Sequence, residues 1–271
     1  MKQLLLPAIL CCCLFACKTK KELAGTETRK GDTIRVLTYN IHHANPPSRK
    51  DVIDLDAIAG VINRQQPDFV ALQEVDVHTG RSGRDVHEAE ALAAKTGMHA
   101  FFARSIPYDD GEYGIAVLSR YPIKEGHAYQ LPSAPGSKGE PRALCTVAVT
   151  LPGGRNVTMA STHLDVLKAD ADRLLQIREI SRILGNAGMP VILAGDFNSK
   201  SGSPAIQVLD SAFTRTCQDC PFTIPVEHPN RTIDFISYRP AKAFKVLEHQ
   251  VIPERYASDH LPVLAVLKLE K

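Results

Sequence analysis

The stretch that most constrains this chain is Val191-Ile192-Leu193-Ala194-Gly195-Asp196-Phe197-Asn198. Its continuous apolar run, entered through Met189-Pro190, predicts a strand buried on both faces. Gly195 then permits a close backbone approach. Asp196 and Asn198 follow two residues apart, so their side chains share a face if the extended conformation continues. A carboxylate beside a carboxamide at the end of a buried strand suits a hard cation or a phosphate-directed water. A strand end closed by an Asx turn is the plainer alternative. Other strand ends of the chain decide between the two.

Thr33–Asn40 alternates with β-branched residues and ends on Asn40. Leu55, Ile58, Ala59 and Ile62 follow at helical spacing, with Asp54 as a cap and Pro67 as a stop. Asp68–Glu74 predicts a second buried strand, ending on Glu74. Strand, helix and strand over this length predict layered α/β packing. A polar loop, Asp76–Asp85, carries Arg81 and Arg84. A helix through Ala89, Leu92 and Ala93 ends near Gly97, and a strand spans Tyr113–Ser119. Arg142–Thr150 and Asn156–Thr162 predict two strands joined by the turn Pro152-Gly153-Gly154, and His163 ends the second. The longest helix is expected from about Lys168 to Asn186, before the central run. Ser199–Arg231 reads as loop. Thr232–Ser237 predicts a strand with Asp234 inside it, and Ser258-Asp259-His260 precedes a closing strand, Leu261–Leu267.

Asn40, Glu74, His163, Asp196, Asn198, Asp259 and His260 therefore stand at the ends of apolar strands. A soluble fold gains nothing structural from placing so many acids, amides and histidines there, since charged groups are seldom buried unless paired or metal-bound. The remaining histidines, His42 and His43 included, read as surface or core residues.

The motifs Tyr39-Asn40, Leu72-Gln73-Glu74, Leu118-Ser119-Arg120, Thr162-His163-Leu164, Gly195-Asp196-Phe197-Asn198, Ile233-Asp234 and Ser258-Asp259-His260 resemble, in this order, those of the endonuclease/exonuclease/phosphatase superfamily. That group includes DNase I-like nucleases, apurinic-site endonucleases, inositol-polyphosphate 5-phosphatases and neutral sphingomyelinases. The resemblance covers about residues 33–268. It implies a four-layer α/β/β/α sandwich of two mixed sheets, and Mg²⁺- or Mn²⁺-dependent phosphoester hydrolysis. It further implies that Glu74, Asn40 and Asp259 serve the metal, and that His260, oriented by Asp234, is general base or phosphate-binding imidazole. His163 would be general acid or transition-state donor, and Asp196 and Asn198 would position water or stabilise phosphoryl oxygens. Glu112 or Tyr113 would support His163 or touch phosphate, although Ile115 replaces an Asn frequent in the family. Arg81 and Arg84 would clamp a second phosphate or lie in a solvated loop. Arg142 would face the site or pair with an acid.

Length and charge bound the rest. The chain of 271 residues has a formal charge of +2, with no basic excess of the kind bulk nucleic-acid binders show. Lys2 and the apolar run Leu4–Ala16, ending at Cys17, resemble a lipoprotein signal. Residues 1–16 are thus expected to be the signal, 17–32 a flexible tether lipidated at Cys17, and 33–271 one catalytic domain. The mature protein is expected outside the cytoplasm, membrane-anchored and monomeric. Cys145 reads as a buried free thiol, and Cys217 and Cys220 could close a local disulfide. The closest sub-resemblance is to exported bacterial members and to the nuclease-like domain of GPI-lipid remodelling proteins. A lipid or inositol-type phosphoester is the expected substrate. An extracytoplasmic nuclease and a non-catalytic binding module on the same fold are the alternatives.

Overall fold

The computed structural model describes residues 33–270; the expected signal, tether and lipidated Cys17 lie outside them. In chain order the elements are β1 (Thr33–Asn40), α1 (Leu55–Gln65), β2 (Phe69–Val77), α2 (Glu88–Thr96), β3 (His99–Tyr108), β4 (Gly111–Ser119), β5 (Ile123–Gln130) and β6 (Ala143–Thr150). There follow β7 (Asn156–His163), α3 (Ala171–Gly185), β8 (Val191–Asp196), α4 (Pro204–Ala212), β9 (Thr214–Arg215), β10 (Asp234–Arg239), β11 (Phe244–Val251) and β12 (Val263–Leu269).

The strands form two six-stranded sheets, ordered β11-β12-β1-β2-β4-β3 and β5-β6-β7-β8-β10-β9. Each holds one parallel pair, β1 with β2 and β7 with β8, across the helices α1 and α3. The named neighbours are otherwise antiparallel, so both sheets are mixed. The period-2 alternation of side chains builds the layers. On β1 and β2, Ile34, Val36, Phe69 and Ala71 point between the sheets and meet Cys145, Val147, Ile192 and Ala194. Their neighbours Leu37, Tyr39, Val70 and Leu72 point outward onto Ile58 and Ile62 of α1 and Leu92 of α2. On the other sheet Leu144, Ala160, Leu193 and Phe235 pack under α3 and α4, against Ile177, Ile180, Ile206 and Leu209. The result is the expected α/β/β/α sandwich, with apolar burial in all three interlayers.

Local chemistry fixes the element ends. Asp54 caps α1 by accepting from Ala57 N at 2.9 Å, and Ser203, followed by Pro204, caps α4. The turn at residues 152–154 joins β6 to β7 as expected. Cys145 is a buried free thiol, and Cys217 and Cys220 are joined in a disulfide. Asp234 is the first residue of β10 rather than an interior one, because the strand begins two residues later than its apolar pattern suggests. The longest helix is shorter than expected, Ala171–Gly185, since Asp170 at its entry and Asn186 at its exit stay outside it. The segment read as loop contains α4, and β3, β5 and β11 are further strands.

Candidate active site

The register of the second sheet creates the site. His163 lies opposite Asp196 on the parallel β7–β8 pair, and Asp234 lies opposite Asp196 on the antiparallel β8–β10 pair. Three chemistry-bearing residues therefore form one row across neighbouring strands. Gly195 makes that row possible: a Cβ there would sit 2.0 Å from the Thr162 carbonyl oxygen, so a side chain would push β8 away from β7. After the strand, Asn198 turns into the left-handed region with φ 47°, and its N–H donates to Asp196 Oδ1 at 2.8 Å. The Asx turn and the site chemistry thus coexist in one segment.

The first sheet supplies Asn40 and Glu74. The β2–β4 ladder slips between Gln73 and Val75, leaving Glu74 as the extra residue of a β-bulge with φ 58°. Bulges re-aim a side chain out of the ladder, and here the carboxylate turns to the strand-end face. Asn40 then links the sheets. Its Nδ2 donates to Glu74 Oε1 at 2.9 Å and to Asp196 Oδ2 at 3.2 Å, while its Oδ1 accepts from His42 N at 3.1 Å.

His260 enters from the loop before β12. Its Nδ1 stands 3.0 Å and 3.1 Å from the two oxygens of Asp234, and its Nε2 lies 3.7 Å from Asp196 Oδ2. His163 Nε2 approaches the same Asp196 oxygen at 3.5 Å. The far nitrogen of His163, Nδ1, faces Arg142 NH1 at 3.3 Å. A guanidinium only donates, so Nδ1 accepts and the imidazole proton sits on Nε2.

The two histidines are tuned in opposite directions. Burial lowers the pKa of His260, but the charge and hydrogen bond of Asp234 and the charges of Asp196 and Asp259 outweigh it and raise it to about 10. Burial, Arg142 and His260 together push His163 well below the ordinary imidazole range. His260 is thus the cation of the pair and His163 the neutral member. Asp196 is raised by burial and by Asp234, against the opposing effect of His260 and of its hydrogen bonds from Asn198 and Asn40.

These side chains open onto a cleft of about 530 Å³, within the usual range for small-ligand sites. Glu74, Tyr113, Arg142, His163, Asp196, Asn198 and His260 line it, with Lys200 and Arg231 adding two cations and Val166, Ile224 and Ile233 an apolar side. Four sequence expectations do not reach it. Arg81 spends its fork on Asp76, at 2.7 and 2.8 Å, and stacks over Tyr108 with 4.4 Å to the ring centroid. Glu112 pairs with Arg104 at 3.0 Å at the surface, because strand alternation turns it away from its cleft-facing neighbour Tyr113. Asp259 is half-buried outside the cleft wall, where it contributes charge to His260 and His43. Arg84 pairs with Asp110 in solvent. Conversely, Lys200 and Arg231 flank the Asp196 and Asp234 motifs in sequence. That adjacency was the available signal for them.

Behind the cleft, Asp76 is fully buried and accepts from Arg81, Thr79 and Ser82, while its own N–H donates to Glu88 Oε2 at 2.8 Å. Burial, reinforced by the charge of Asp76, raises Glu88 from 4.5 to about 8. An acid with a folded-state pKa above its unfolded value holds its proton more tightly when folded, so stability falls as pH rises from about 4.5 through about 8. The isosteric Glu88→Gln is expected to remove that decline and to stabilise the fold by about 2–3 kcal/mol at pH 9. Urea midpoints of both proteins at pH 5 and pH 9 check it. An equal fall in both proteins would contradict the assignment.

Asp234 spends both oxygens on His260, which leaves Glu74 and Asp196 as the carboxylates turned to the cleft, and oxygen donors of this kind suit a hard divalent cation. Glu74 fits such a role directly. Asn40 presents its amide nitrogen to Glu74, and ligation through its oxygen would need a carboxamide rotation that takes the acceptor from His42 N.

Residues 37–260 match the Endonuclease/Exonuclease/phosphatase family. The Escherichia coli K12 protein "Uncharacterized protein YbhP" is 29% identical over 250 residues, 88% of this chain and 97% of its own. The solved endonuclease/exonuclease/phosphatase of Beutenbergia cavernae is 29% identical with a TM-score of 0.72, covering 88% of this chain and 72% of that one. The mannosyl-6-phosphatase of Bacteroides thetaiotaomicron shares the fold at 20% identity and TM-score 0.70, covering 86% and 99%. With the strand-end row and the two-sheet frame, the match over residues 37–260 establishes that the chain belongs to the endonuclease/exonuclease/phosphatase family.

Proposed function

We propose that this chain is an Mg²⁺-dependent phosphoester hydrolase, with Mn²⁺ as an alternative ion, acting on a lipid or inositol-type phosphoester outside the cytoplasm. Its family supports phosphoester hydrolysis with a divalent ion. The observation that carries the finer reading is the cleft's two-sided wall. Arg142, Lys200 and Arg231 supply positive charge, while Val166 is 64% exposed beside Ile224 and Ile233. The exposed Phe222, two residues before Ile224, lines a neighbouring hollow with Lys200 and Arg231. Cations suit the phosphate and the apolar side suits what it is esterified to. Export and anchoring through Cys17 rest on the N-terminal sequence.

In this reading Glu74, with Asn40 after rotation, would hold Mg²⁺, which when bound neutralises phosphoryl charge and polarises the ester. The chain's own groups do the rest. Arg142, Lys200 and Arg231 draw in the anionic oxygens. His260, kept protonated by Asp234, donates from Nε2 to a phosphoryl oxygen and is therefore not the base. His163 donates from Nε2 while remaining neutral, so it acts as a hydrogen-bond donor and not as an imidazolium acid. Asp196, pushed above the usual carboxylate range, is the group suited to take a proton from the attacking water.

A substrate panel tests this: bis(p-nitrophenyl) phosphate, phosphatidylinositol vesicles, inositol phosphates and DNA oligonucleotides, each with Mg²⁺ and with EDTA. The expected result is EDTA-sensitive hydrolysis favouring the lipid or inositol substrates. Faster cleavage of the oligonucleotides would make it a nuclease. Binding without turnover throughout would make it a binding module.

A further inference from the structure

We propose that His42, His43 and one carboxylate oxygen of Glu74 form a second cation site, which shares Glu74 with the hydrolytic ion and takes a borderline transition-metal dication such as Zn²⁺ in preference to Mg²⁺. One ring nitrogen of each histidine and a Glu74 carboxylate oxygen lie within 4.8 Å of one another. Adjacent residues on an extended chain point to opposite sides, so neighbouring histidines do not ordinarily meet. Here His42, His43 and Ala44 all adopt left-handed conformations, with φ of 48°, 42° and 53°. That turn brings the two rings to a centroid separation of 4.5 Å. None of the three is glycine, so the conformation is strained, and strain of this kind is concentrated at functional sites.

The tautomers favour ligation. His42 Nδ1 lies 2.8 Å from the Asn45 carbonyl oxygen, which only accepts, so Nδ1 carries the proton and Nε2 keeps its lone pair. A metal-binding histidine is usually oriented in this way, by giving its other N–H to a backbone carbonyl. His43 has a buried Nδ1 with no hydrogen-bond partner, and a buried ring nitrogen left unpaired is costly unless something meets it. Two imidazoles and one carboxylate are the ligand set of many zinc sites with an open position, whereas Mg²⁺ prefers oxygen ligands. Zinc–ligand distances are near 2.0–2.2 Å, so the three side chains must draw in by roughly an ångström. All three are half-buried, which leaves room for the rotamer changes.

The site goes beyond the hydrolase reading and is tested by binding alone. Co²⁺ is titrated into the full-length protein in millimolar Mg²⁺, and its visible absorption bands are followed. One equivalent with nitrogen-ligated bands, displaced by Zn²⁺ and not by Mg²⁺, is expected. His42→Gln and His43→Gln should each weaken Co²⁺ binding at least about tenfold, and His260→Gln should leave it intact. A wild-type protein without bands, bands retained when both histidines are replaced, or bands lost only with His260→Gln would overturn the proposal. Diethylpyrocarbonate modification of the wild-type protein, mapped by mass spectrometry, needs no variant. Zn²⁺ must protect His42 and His43, and labelling of both at the metal-free rate would equally refute the site.

Discussion

Replacing His260 by glutamine is expected to lower kcat/KM by about 10²–10³, and no concentration of Mg²⁺ is expected to restore it. Glutamine is the informative substitution because its amide can still donate to Asp234. Alanine would leave Asp234, 3% exposed, without its buried cation and so confound activity with folding. Glu74→Gln is expected to lose activity by a different route, through weaker cation affinity, so raising Mg²⁺ should recover part of the loss. The comparison is kcat/KM for both variants across a Mg²⁺ titration, with circular dichroism confirming the fold. Metal rescue of the histidine variant, or indifference of the glutamate variant, would mean that the two roles are exchanged. The His260 result also tests the charge assignment. A group that binds phosphate as an imidazolium should lose more in KM for a dianionic monoester than for a monoanionic diester, whereas a general base would lose kcat for both.

The frame that holds these groups was largely legible in the sequence, and the parts that were not share a physical cause. β1, β2, β7 and β8 lie inside their sheets and show as uninterrupted apolar runs. β3, β5 and β11 are edge strands, with solvent on much of their surface. Their alternation is diluted by residues such as Arg104, Glu125 and Glu248, the charges that keep an edge from pairing with another chain. α4 was hidden for a different reason. Ser203 and Pro204 announce a helix start, but a surrounding segment rich in Ser, Gly and Pro reads as loop. At the site, the residues that end central strands were visible because position in an apolar run fixes where they point. Lys200, Arg231, His42 and His43 sit in the connections between the long strands, where side-chain direction depends on φ values that no periodicity reports. The bulge at Glu74 shows the limit from the other side: the residue was evident, while the ladder slip that aims it was not.

Asp196→Asn is expected to separate catalysis from stability most sharply. In the wild-type row Asp196 receives Asn198 N–H, Asn40 Nδ2 and the approach of both histidine Nε2 atoms, while Asp234 stands opposite it in the register. Burial and Asp234 raise its folded-state pKa above the unfolded value. Such an acid is bound more tightly to its proton in the folded state, so its contribution weakens stability as pH rises above the ordinary carboxylate range near 3.9. The asparagine variant carries no such penalty. In EDTA, its midpoint of thermal unfolding should exceed that of the wild type at pH 8, and the difference should shrink toward pH 4. Activity should move the opposite way. With no carboxylate to accept the proton of the attacking water, kcat should fall by about 10²–10⁴ and the rising limb of the pH–rate profile should disappear. A more stable and nearly inactive variant is the signature of a residue kept for chemistry at the expense of the fold. A variant that is destabilised at every pH would show that Asp196 is instead held in place by its donors as a structural acceptor. A variant that keeps its rate would pass the base role to another group.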